Sequence, residues 1–311
     1  MNNNTTIIML SPKSNFSQEQ ITNIESQGET VWIENNDYIN NPIFQNSKEK
    51  IIAIWPETTD WKFPNEFIEK IINLRAICLA TTSFAWVDGN FLNSKNIFLS
   101  NVPKYATESV AEYAISLMFN VARKLPLLMK NNWKIDYDNH QGWEIKDKTM
   151  GIIGLGAIGS RIAELGKQMR MKVIYWSKNS RDPSYEYQEL DDLLKNSDFI
   201  FPTLARNEET KQLLPNNKLD LISKNAFVVS IISKTGENIM DLEYLQEKIK
   251  NGTLAGLSFE SEDKTINDFE GNIYVSPTIA WFTKEAFKEN IRIWVENIIS
   301  SINNNPINKV N

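Results

Sequence analysis

The feature that most constrains this chain is a glycine-rich turn at positions 154–159, where the sequence reads GLGAIG. The turn follows an apolar run, Thr149–Ile153, and precedes apolar residues spaced as on one face of a helix. In such a strand–turn–helix unit, Gly154 permits the tight turn, Gly156 leaves room for a pyrophosphate, and Gly159 lets the helix approach the strand. The sequence therefore predicts a dinucleotide site, with contacts at Gly154, Gly156, Ala157, Ile158 and Gly159. The alternative is an α/β domain that has kept the turn and lost its ligand.

The residues after the next predicted strand bear on which nicotinamide cofactor is bound. That strand, Val173–Trp176, ends at Ser177 and is followed by Lys178 and Arg181. A carboxylate at this point accepts a hydrogen bond from the ribose 2′-OH of NAD, whereas the 2′-phosphate of NADP needs a cation and no acid. The sequence therefore favours NADP over NAD, with Ser177, Lys178 and Arg181 as contacts. Two alternatives stay open: Lys178 and Arg181 belong to a solvated loop, or Asp182 reaches back and restores a preference for NAD.

The rest of the chain repeats the alternation of strand and helix. Strand-like runs alternate with helical patterns over 5–79 and again over 149–275, which is typical of βαβ units around mostly parallel sheets. The length of 311 residues, at roughly 150 per domain, suggests two domains. The second series holds six predicted strands and suits a doubly wound sheet. Helices are predicted at 66–72 and 284–301, and the run from Thr107 is apolar enough to be widely buried as a helix.

Composition excludes several classes of partner. Lys plus Arg number 33 against 39 Asp plus Glu, a net charge of −6 without a long basic run, so nucleic acid is not expected as a partner. The single cysteine, Cys78, excludes an internal disulfide framework and a multi-cysteine metal site, and it fits a reducing cytoplasm. No apolar run approaches the roughly 20 residues that span a bilayer, so no membrane partner is expected. The single histidine, His140, is predicted to lie in a surface loop.

Several further segments occur in an order that resembles the D-isomer-specific 2-hydroxyacid dehydrogenase family over almost the full chain. The segments are Leu74–Asp88, Asn101–Glu112, the glycine turn, Asn207–Thr210 and Lys224–Ser230. The resemblance implies an α/β protein of two domains: a flavodoxin-like substrate domain at 1–102 and a Rossmann-type doubly wound cofactor domain at 103–284. The C-terminal helix, 285–311, is implied to return to the substrate domain. Members of the family usually form homodimers through the long helix that begins here near Thr107.

The catalytic set of that family is altered in this sequence. Members use a histidine after a proline, oriented by a glutamate, and an arginine that pairs with the substrate carboxylate. Here Thr278 stands in the place of the histidine and Ser233 in the place of the arginine, with Lys234 beside it. Threonine cannot titrate near neutral pH, so the catalytic candidates are Lys234, Thr278 and Tyr105. Lys234 brings a point charge without the planar fork of arginine.

The remaining predicted contacts rest on the same resemblance. Ser83 and Phe84 lie in the segment that resembles the carboxylate-binding loop of the family, and Trp281 is predicted to line the substrate pocket. The remaining predicted cofactor contacts, at the ends of predicted strands, are Leu204, Ile231 and Glu260, the last in the place of a cofactor-side aspartate.

Together these features predict an NAD(P)-binding oxidoreductase with a non-standard catalytic site. The expected chemistry is hydride transfer to a carbonyl, imine or activated alkene of a small-molecule substrate, with Lys234, Tyr105 or water replacing the histidine. The alternative is a catalytically inactive nucleotide-binding sensor or scaffold. Tight cofactor binding without turnover would favour that alternative, whereas cofactor oxidation by a ketoacid or ketone would favour the enzyme.

Overall fold

The chain divides into two compact units. The computed structural model describes residues 5–204, 209–232 and 239–311. Unit 1 comprises residues 1–105 and 284–311, and unit 2 comprises residues 106–283. The α/β class predicted from the alternation of strand and helix is confirmed, since each unit is built on a parallel sheet. No helix in the described part of the chain is long and apolar enough to cross a membrane.

Unit 1 contains a five-stranded parallel sheet. Its strands are β1 (Thr5–Leu10), β2 (Glu29–Ile33), β3 (Glu49–Ile54), β4 (Leu74–Leu79) and β5 (Phe98–Ser100). Its helices are α1 (Gln18–Glu25), α2 (Asn65–Ile68), α3 (Gly89–Ser94) and, at the C-terminal end of the chain, α10 (Lys284–Ile302). The strand order β2-β1-β3-β4-β5 is flavodoxin-like and reverses direction between β1 and β3.

Both faces of this sheet are covered, because successive side chains of a strand point to opposite sides. Ile7 of β1 belongs to the core that α10 completes, whereas Ile8 belongs to the core on the other face. The apolar residues that α10 buries follow a helical spacing: Ile291, Trp294, Val295 and Ile298. Trp294 Nε1 also donates a hydrogen bond of 2.9 Å to the carbonyl of Cys78 in β4. The C-terminal helix is thereby fixed to the sheet formed by the N-terminal part of the chain.

Helix α2 is shorter than the helix predicted over 66–72, because it ends at Ile68. The backbone beyond it pairs with other segments instead of continuing the helix. Ile72 donates its N–H to the carbonyl of Phe44 at 3.0 Å, and its own carbonyl accepts from Lys50 Nζ at 2.6 Å. The Lys50 ammonium is fully buried and also reaches the carbonyls of Asn46 and Lys48. This buried lysine is a tertiary contact that sequence periodicity does not reveal.

Unit 2 contains a seven-stranded parallel sheet in the order β12-β11-β10-β9-β6-β7-β8. Its strands are β6 (Thr149–Ile153), β7 (Lys172–Trp176), β8 (Glu186–Tyr187), β9 (Phe199–Pro202), β10 (Phe227–Val229), β11 (Gly256–Glu260) and β12 (Ile273–Ser276). Its helices are α4 (Thr107–Ala122), α5 (Leu125–Lys130), α6 (Ala157–Gln168), α7 (Leu190–Asn196), α8 (Asn216–Leu219) and α9 (Leu242–Lys250). Six of these strands were predicted. The seventh, β8, is a short polar edge strand with no apolar run to indicate it.

Helix α4 packs along unit 2 against α6 and the strands β10 and β11. Its fully buried residues are small or aliphatic: Ala111, Ala114, Leu117, Met118, Val121 and Ala122. Its exposed residues form one stripe: Glu108, Glu112, Ser116 and Phe119. The helix is therefore buried on most but not all of its circumference, and the stripe ends in an aromatic ring.

Candidate active site

The glycine turn lies between β6 and α6, and each glycine has its own geometric reason. Gly154 has φ of 101°, a left-handed conformation, and its N–H donates to the carbonyl of Trp176 at 2.8 Å. A Cβ on Gly159 would lie 2.0 Å from the Gly154 carbonyl oxygen, so α6 can approach β6 only with glycine there. A Cβ on Gly156 would meet no heavy atom within 4 Å. Gly154 and Gly159 thus shape the turn, and Gly156 borders open space.

That open space lies at the N-terminus of α6. The helix begins at Ala157, and no side chain of the described residues caps it. Gly156 and Ala157 are exposed, while Ile158 is half-buried. The first N–H groups of a helix lack intrahelical partners and carry partial positive charge, which favours an anion. The residues present therefore fit a pyrophosphate of a dinucleotide cofactor.

The segment after β7 contains an arginine that is stacked on an aromatic ring. Arg181 Nη1 donates to the carbonyls of Ser177 and Ser180 at 2.6 and 2.8 Å, and its guanidinium lies 4.2 Å from the centroid of the Tyr187 ring. Its described hydrogen bonds use only Nη1, which leaves Nε and Nη2 as donors. Ser177 is buried, and its Oγ accepts from the Ser180 N–H at 3.2 Å.

The neighbouring charges of this segment are engaged elsewhere. Lys178 forms an exposed ion pair of 2.9 Å with Glu209. Asp182 does not reach back towards Ser177, because its Oδ1 accepts from the Ser184 N–H at 2.8 Å. That backbone hydrogen bond lowers the pKa of the Asp182 carboxyl. Arg181 is thus the cation of this segment with guanidinium donors still available.

Two further predicted cofactor contacts lie at the same edge of the unit 2 sheet. Leu204 follows β9, and its Cδ2 is the atom that a Cβ on Gly154 would meet first, at 2.8 Å. Ile231 follows β10 and packs, half-buried, against the core on the α4 side. Carboxyl ends of parallel strands share one edge, so both residues border the region of the glycine turn.

Glu260 ends β11 and is bound to the segment that contains Thr278. Its side chain is only 4% exposed, and Oε1 accepts from the N–H groups of Ile279 and Ala280, both at 2.8 Å. Burial raises the pKa of the Glu260 carboxyl, and the two amides partly oppose that rise. Ser109 of α4 donates to the Ala280 carbonyl, which holds the same segment from the other side. The Glu260 side chain therefore positions this segment by binding the backbone N–H groups of the segment.

Thr278, predicted from the sequence to stand in the position of the family histidine, has a buried hydroxyl oxygen with no hydrogen-bond partner among the described residues. Trp281 is half-buried and lies 5.0 Å, centroid to centroid, from the ring of Phe282. The Phe282 side chain is 61% exposed. Lys234 and Ser233 lie outside the described residues. The structure thus brings Glu260 and Thr278 together within unit 2.

The predicted substrate contacts lie in unit 1, in the loop after β4. Ser83 donates its N–H to Thr81 Oγ1 at 3.2 Å, and its carbonyl accepts from Trp86 Nε1 at 3.0 Å. Phe84 is 39% exposed. The internal hydrogen bonds hold the loop in a defined shape, with Ser83 and Phe84 at its surface.

Tyr105 is half-buried in unit 1. Burial, with the nearby Glu57 carboxylate, raises the pKa of Tyr105 to about 12, so the hydroxyl stays protonated at neutral pH. Asn290 is 1% exposed, and its Nδ2 donates to the carbonyl of Ala80 at 3.0 Å. Sequence reasoning missed Asn290, although a polar residue on the buried face of an amphipathic helix is a usable signal. It also missed Glu57, which only the strand order places at a ligand-binding edge.

His140 contacts its own loop, since its Nδ1 accepts from the N–H of Asp136 at 3.1 Å. The His140 backbone N–H donates to the Asp136 carbonyl at 2.8 Å. The structure therefore places this histidine in a local turn, where the sequence analysis expected it.

A parallel α/β sheet with an open glycine turn at its β6–α6 crossover defines a dinucleotide-binding protein of the doubly wound class. Residues 114–268 match the family model of the D-isomer specific 2-hydroxyacid dehydrogenase NAD-binding domain. The chain belongs to the D-isomer specific 2-hydroxyacid dehydrogenase family and is an oxidoreductase of that type with a nicotinamide cofactor. The resemblance stated from the sequence is confirmed.

Relatives with named activities cover most of the chain. It is 28% identical to a glyoxylate reductase of Aeropyrum pernix over 80% of this chain and 79% of the relative. It is 29% identical to a hydroxypyruvate reductase of Blautia hydrogenotrophica over 82% of this chain and 84% of the relative. Among solved structures, it resembles an acyclic imino acid reductase, Bsp5, in complex with NADPH and D-Arg. The TM-score is 0.83 at 26% identity, covering 98% of this chain and 100% of that one.

Proposed function

We propose that this protein is an NADPH-dependent reductase of 2-imino acids, the condensation products of a 2-oxo acid and an amine. The observation that carries the proposal is the residue in the place of the family histidine. Thr278 offers a buried, unpartnered hydroxyl oxygen and no group that titrates near neutral pH. Such a site suits a substrate that brings its own proton.

An imine meets that requirement and a ketone does not. Reduction of a 2-oxo acid creates an alkoxide, which needs a proton as it forms, and such general acid help is typically worth about 10²–10⁴-fold in rate. A protonated imine, R₂C=NH₂⁺, takes up a hydride to give the neutral amine R₂CH–NH₂, with no proton transfer at that step. When bound, the nicotinamide supplies that hydride. The similarity to an acyclic imino acid reductase with NADPH supports the same substrate class.

The preference for NADPH rests on Arg181. The guanidinium is stacked on Tyr187 and retains N–H donors beside Ser177, at the end of β7. A planar guanidinium is well suited to a phosphate, and the described residues place no carboxylate back at Ser177 to repel one. Gly156 and the start of α6 would hold the pyrophosphate.

The assay that tests the proposal compares NADPH oxidation by pyruvate alone with oxidation by pyruvate plus methylamine. We expect the amine to accelerate the reaction by about 100-fold, the low end of what a missing general acid costs a ketone. A matched pair of variants, Thr278→His and Thr278→Val, tests whether the missing histidine is the reason that pyruvate alone is reduced slowly. Only the histidine variant is expected to gain reduction of pyruvate without amine.

Two outcomes would contradict the proposal. Equal or faster reduction of the 2-oxo acid without amine would make the protein a carbonyl reductase. NADPH binding without oxidation by either mixture would instead favour a nucleotide-binding sensor or scaffold.

We also infer that the protein forms a homodimer through unit 2. A set of exposed apolar residues, here called the α4–α5 face, lies at the end of the α4 stripe, in α5 and in the segment after α5. Its exposed residues are Phe119, Met129, Trp133, Ile135 and Tyr137. Exposed apolar clusters of this kind are typical of subunit contacts. The cytoplasmic location stays a prediction from the cysteine content.

A further inference from the structure

Glu57 stands at the edge of the unit 1 sheet where a parallel sheet of this order binds ligands. The Trp55 N–H donates to the carbonyl of Leu10 at 2.9 Å, and the Ala80 N–H donates to the carbonyl of Ile54 at 2.9 Å. The carboxyl ends of β1, β3 and β4 are therefore level with one another. Ligands of open α/β sheets bind outside these ends, at the point where the strand order reverses, which here is between β1 and β3. Glu57 follows the end of β3 by three residues.

The local turn directs the Glu57 side chain outwards. Glu57 lies in a short 3₁₀ turn, Pro56–Thr59, in which Pro56, Thr58 and Thr59 are buried and Glu57 is exposed. Glu57 is the second residue of this turn, in which the Thr58 N–H donates to the Trp55 carbonyl at 3.0 Å and the Trp61 N–H donates to the Pro56 carbonyl at 3.0 Å. The backbone of Glu57 consequently has a defined position at the sheet edge.

No described residue forms an ion pair with Glu57. Among the described residues, six glutamates of this unit pair with a lysine or arginine: Glu25, Glu29, Glu49, Glu69, Glu289 and Glu296. Glu57 instead lies close enough to Tyr105 to affect the titration of that hydroxyl. The carboxylate thus carries a negative charge that no described side chain neutralises.

The turn that contains Glu57 follows directly on an aromatic cluster around Trp55. Trp55 packs on Phe287 and Trp294, with ring centroids 5.7 and 6.3 Å apart. Desolvation raises the pKa of the Glu57 carboxyl. A carboxylate at this edge without an ion-pair partner among the described residues suits a cationic group such as a guanidinium or ammonium.

We propose that Glu57 binds a cationic group on the side chain of the substrate, so that the preferred substrates are 2-imino acids with a guanidinium or ammonium terminus. This inference rests on the proposed function for the reacting end of the molecule. The loop that contains Ser83 and Phe84 follows β4, the neighbour of β3, and lies at the same sheet edge. One edge of unit 1 thereby offers contacts to two parts of one substrate.

The test measures binding first, because binding does not depend on turnover. D-arginine and D-citrulline have nearly the same shape and differ in charge. In calorimetric titrations with NADPH present, we expect the wild type to bind D-arginine about 10- to 100-fold more tightly, as for hydrogen bonds to charged groups. Glu57→Gln should remove most of that difference. Glu66→Gln, the same change at an exposed position of α2, should leave it intact.

Binding and turnover together separate the two proposals. Equal affinity of the wild type for both amino acids, or an equal loss of both in Glu57→Gln, would overturn the role of Glu57. The second readout is NADPH oxidation with ammonia and either 5-guanidino-2-oxopentanoate or its ureido analogue. Turnover of both at the same kcat/KM overturns the present inference and leaves imine reduction standing. Selective binding of D-arginine without turnover of either overturns imine reduction and leaves the cation site standing.

Discussion

At the scale of the residue, the proposed preference for NADPH rests on Arg181. Its guanidinium is held by two backbone carbonyls and the Tyr187 ring, so replacing it removes a pre-placed phosphate ligand. Arg181→Ala is expected to weaken NADPH binding by about 10-fold or more, because hydrogen bonds to a charged group are lost. NADH has no 2′-phosphate, and its affinity should stay within about twofold, as for loss of an exposed charge. Fluorescence titration with each cofactor gives both numbers.

Lys178→Ala is the matched control for this change. Lys178 is exposed and already paired with Glu209. Its loss should therefore weaken the affinity for NADPH by less than about threefold, as for a surface ion pair. A wild type that binds NADH more tightly than NADPH, or an Arg181→Ala variant that loses both cofactors equally, would contradict the assignment.

At the scale of the element, substitutions at two glycines of the β6–α6 turn are expected to affect different properties: Gly159→Ala the stability of the fold, and Gly156→Ala the binding of the cofactor. Gly159→Ala places a methyl group 2.0 Å from the Gly154 carbonyl, so α6 must move away from β6. We expect a loss of about 1–3 kcal/mol in the free energy of unfolding, the usual cost of overpacking. Gly156→Ala meets no atom within 4 Å and should cost less, about 0.5–1 kcal/mol, because alanine is a poorer helix N-cap than glycine. The same methyl group enters the open space proposed for the pyrophosphate.

The two variants are therefore expected to differ in kind. Denaturant unfolding should show Gly159→Ala to be the unstable one, whereas cofactor titration should show that Gly156→Ala binds more weakly while remaining folded. Wild-type cofactor affinity in Gly156→Ala would mean that the space beside this glycine is not the pyrophosphate site.

At the scale of the whole molecule, the proposed homodimer depends on the α4–α5 face. Phe119 is 40% exposed on α4, so Phe119→Lys is tolerated by the fold of the chain but places a charge in the proposed interface. Sedimentation velocity should show two chains per particle for the wild type and one for Phe119→Lys at the same concentration. Ile72→Lys, at a position of similar exposure in unit 1, should remain dimeric. A monomeric wild type would refute the dimer.

The parts of the site that could be predicted are those that depend on neighbours along the chain. The role of each glycine at 154–159 follows from the spacing between one strand and one helix. The absence of an acid at Ser177 could likewise be read directly. Asp182 illustrates the limit, because the sequence allowed it to reach Ser177 and only the Ser184 N–H shows that it turns away.

The sequence by itself determined the α/β class, the glycine turn and the amphipathic C-terminal helix, because local periodicity and backbone requirements are properties of short segments. Only the tertiary structure decided what the isolated polar groups do. Glu260, Lys50 and Asn290 are buried, and each has a hydrogen bond to the backbone of a segment distant in sequence. Glu57 is at a sheet edge without an ion-pair partner among the described residues. Burial and partners depend on which distant strands become neighbours, and that information lies in no single stretch of sequence.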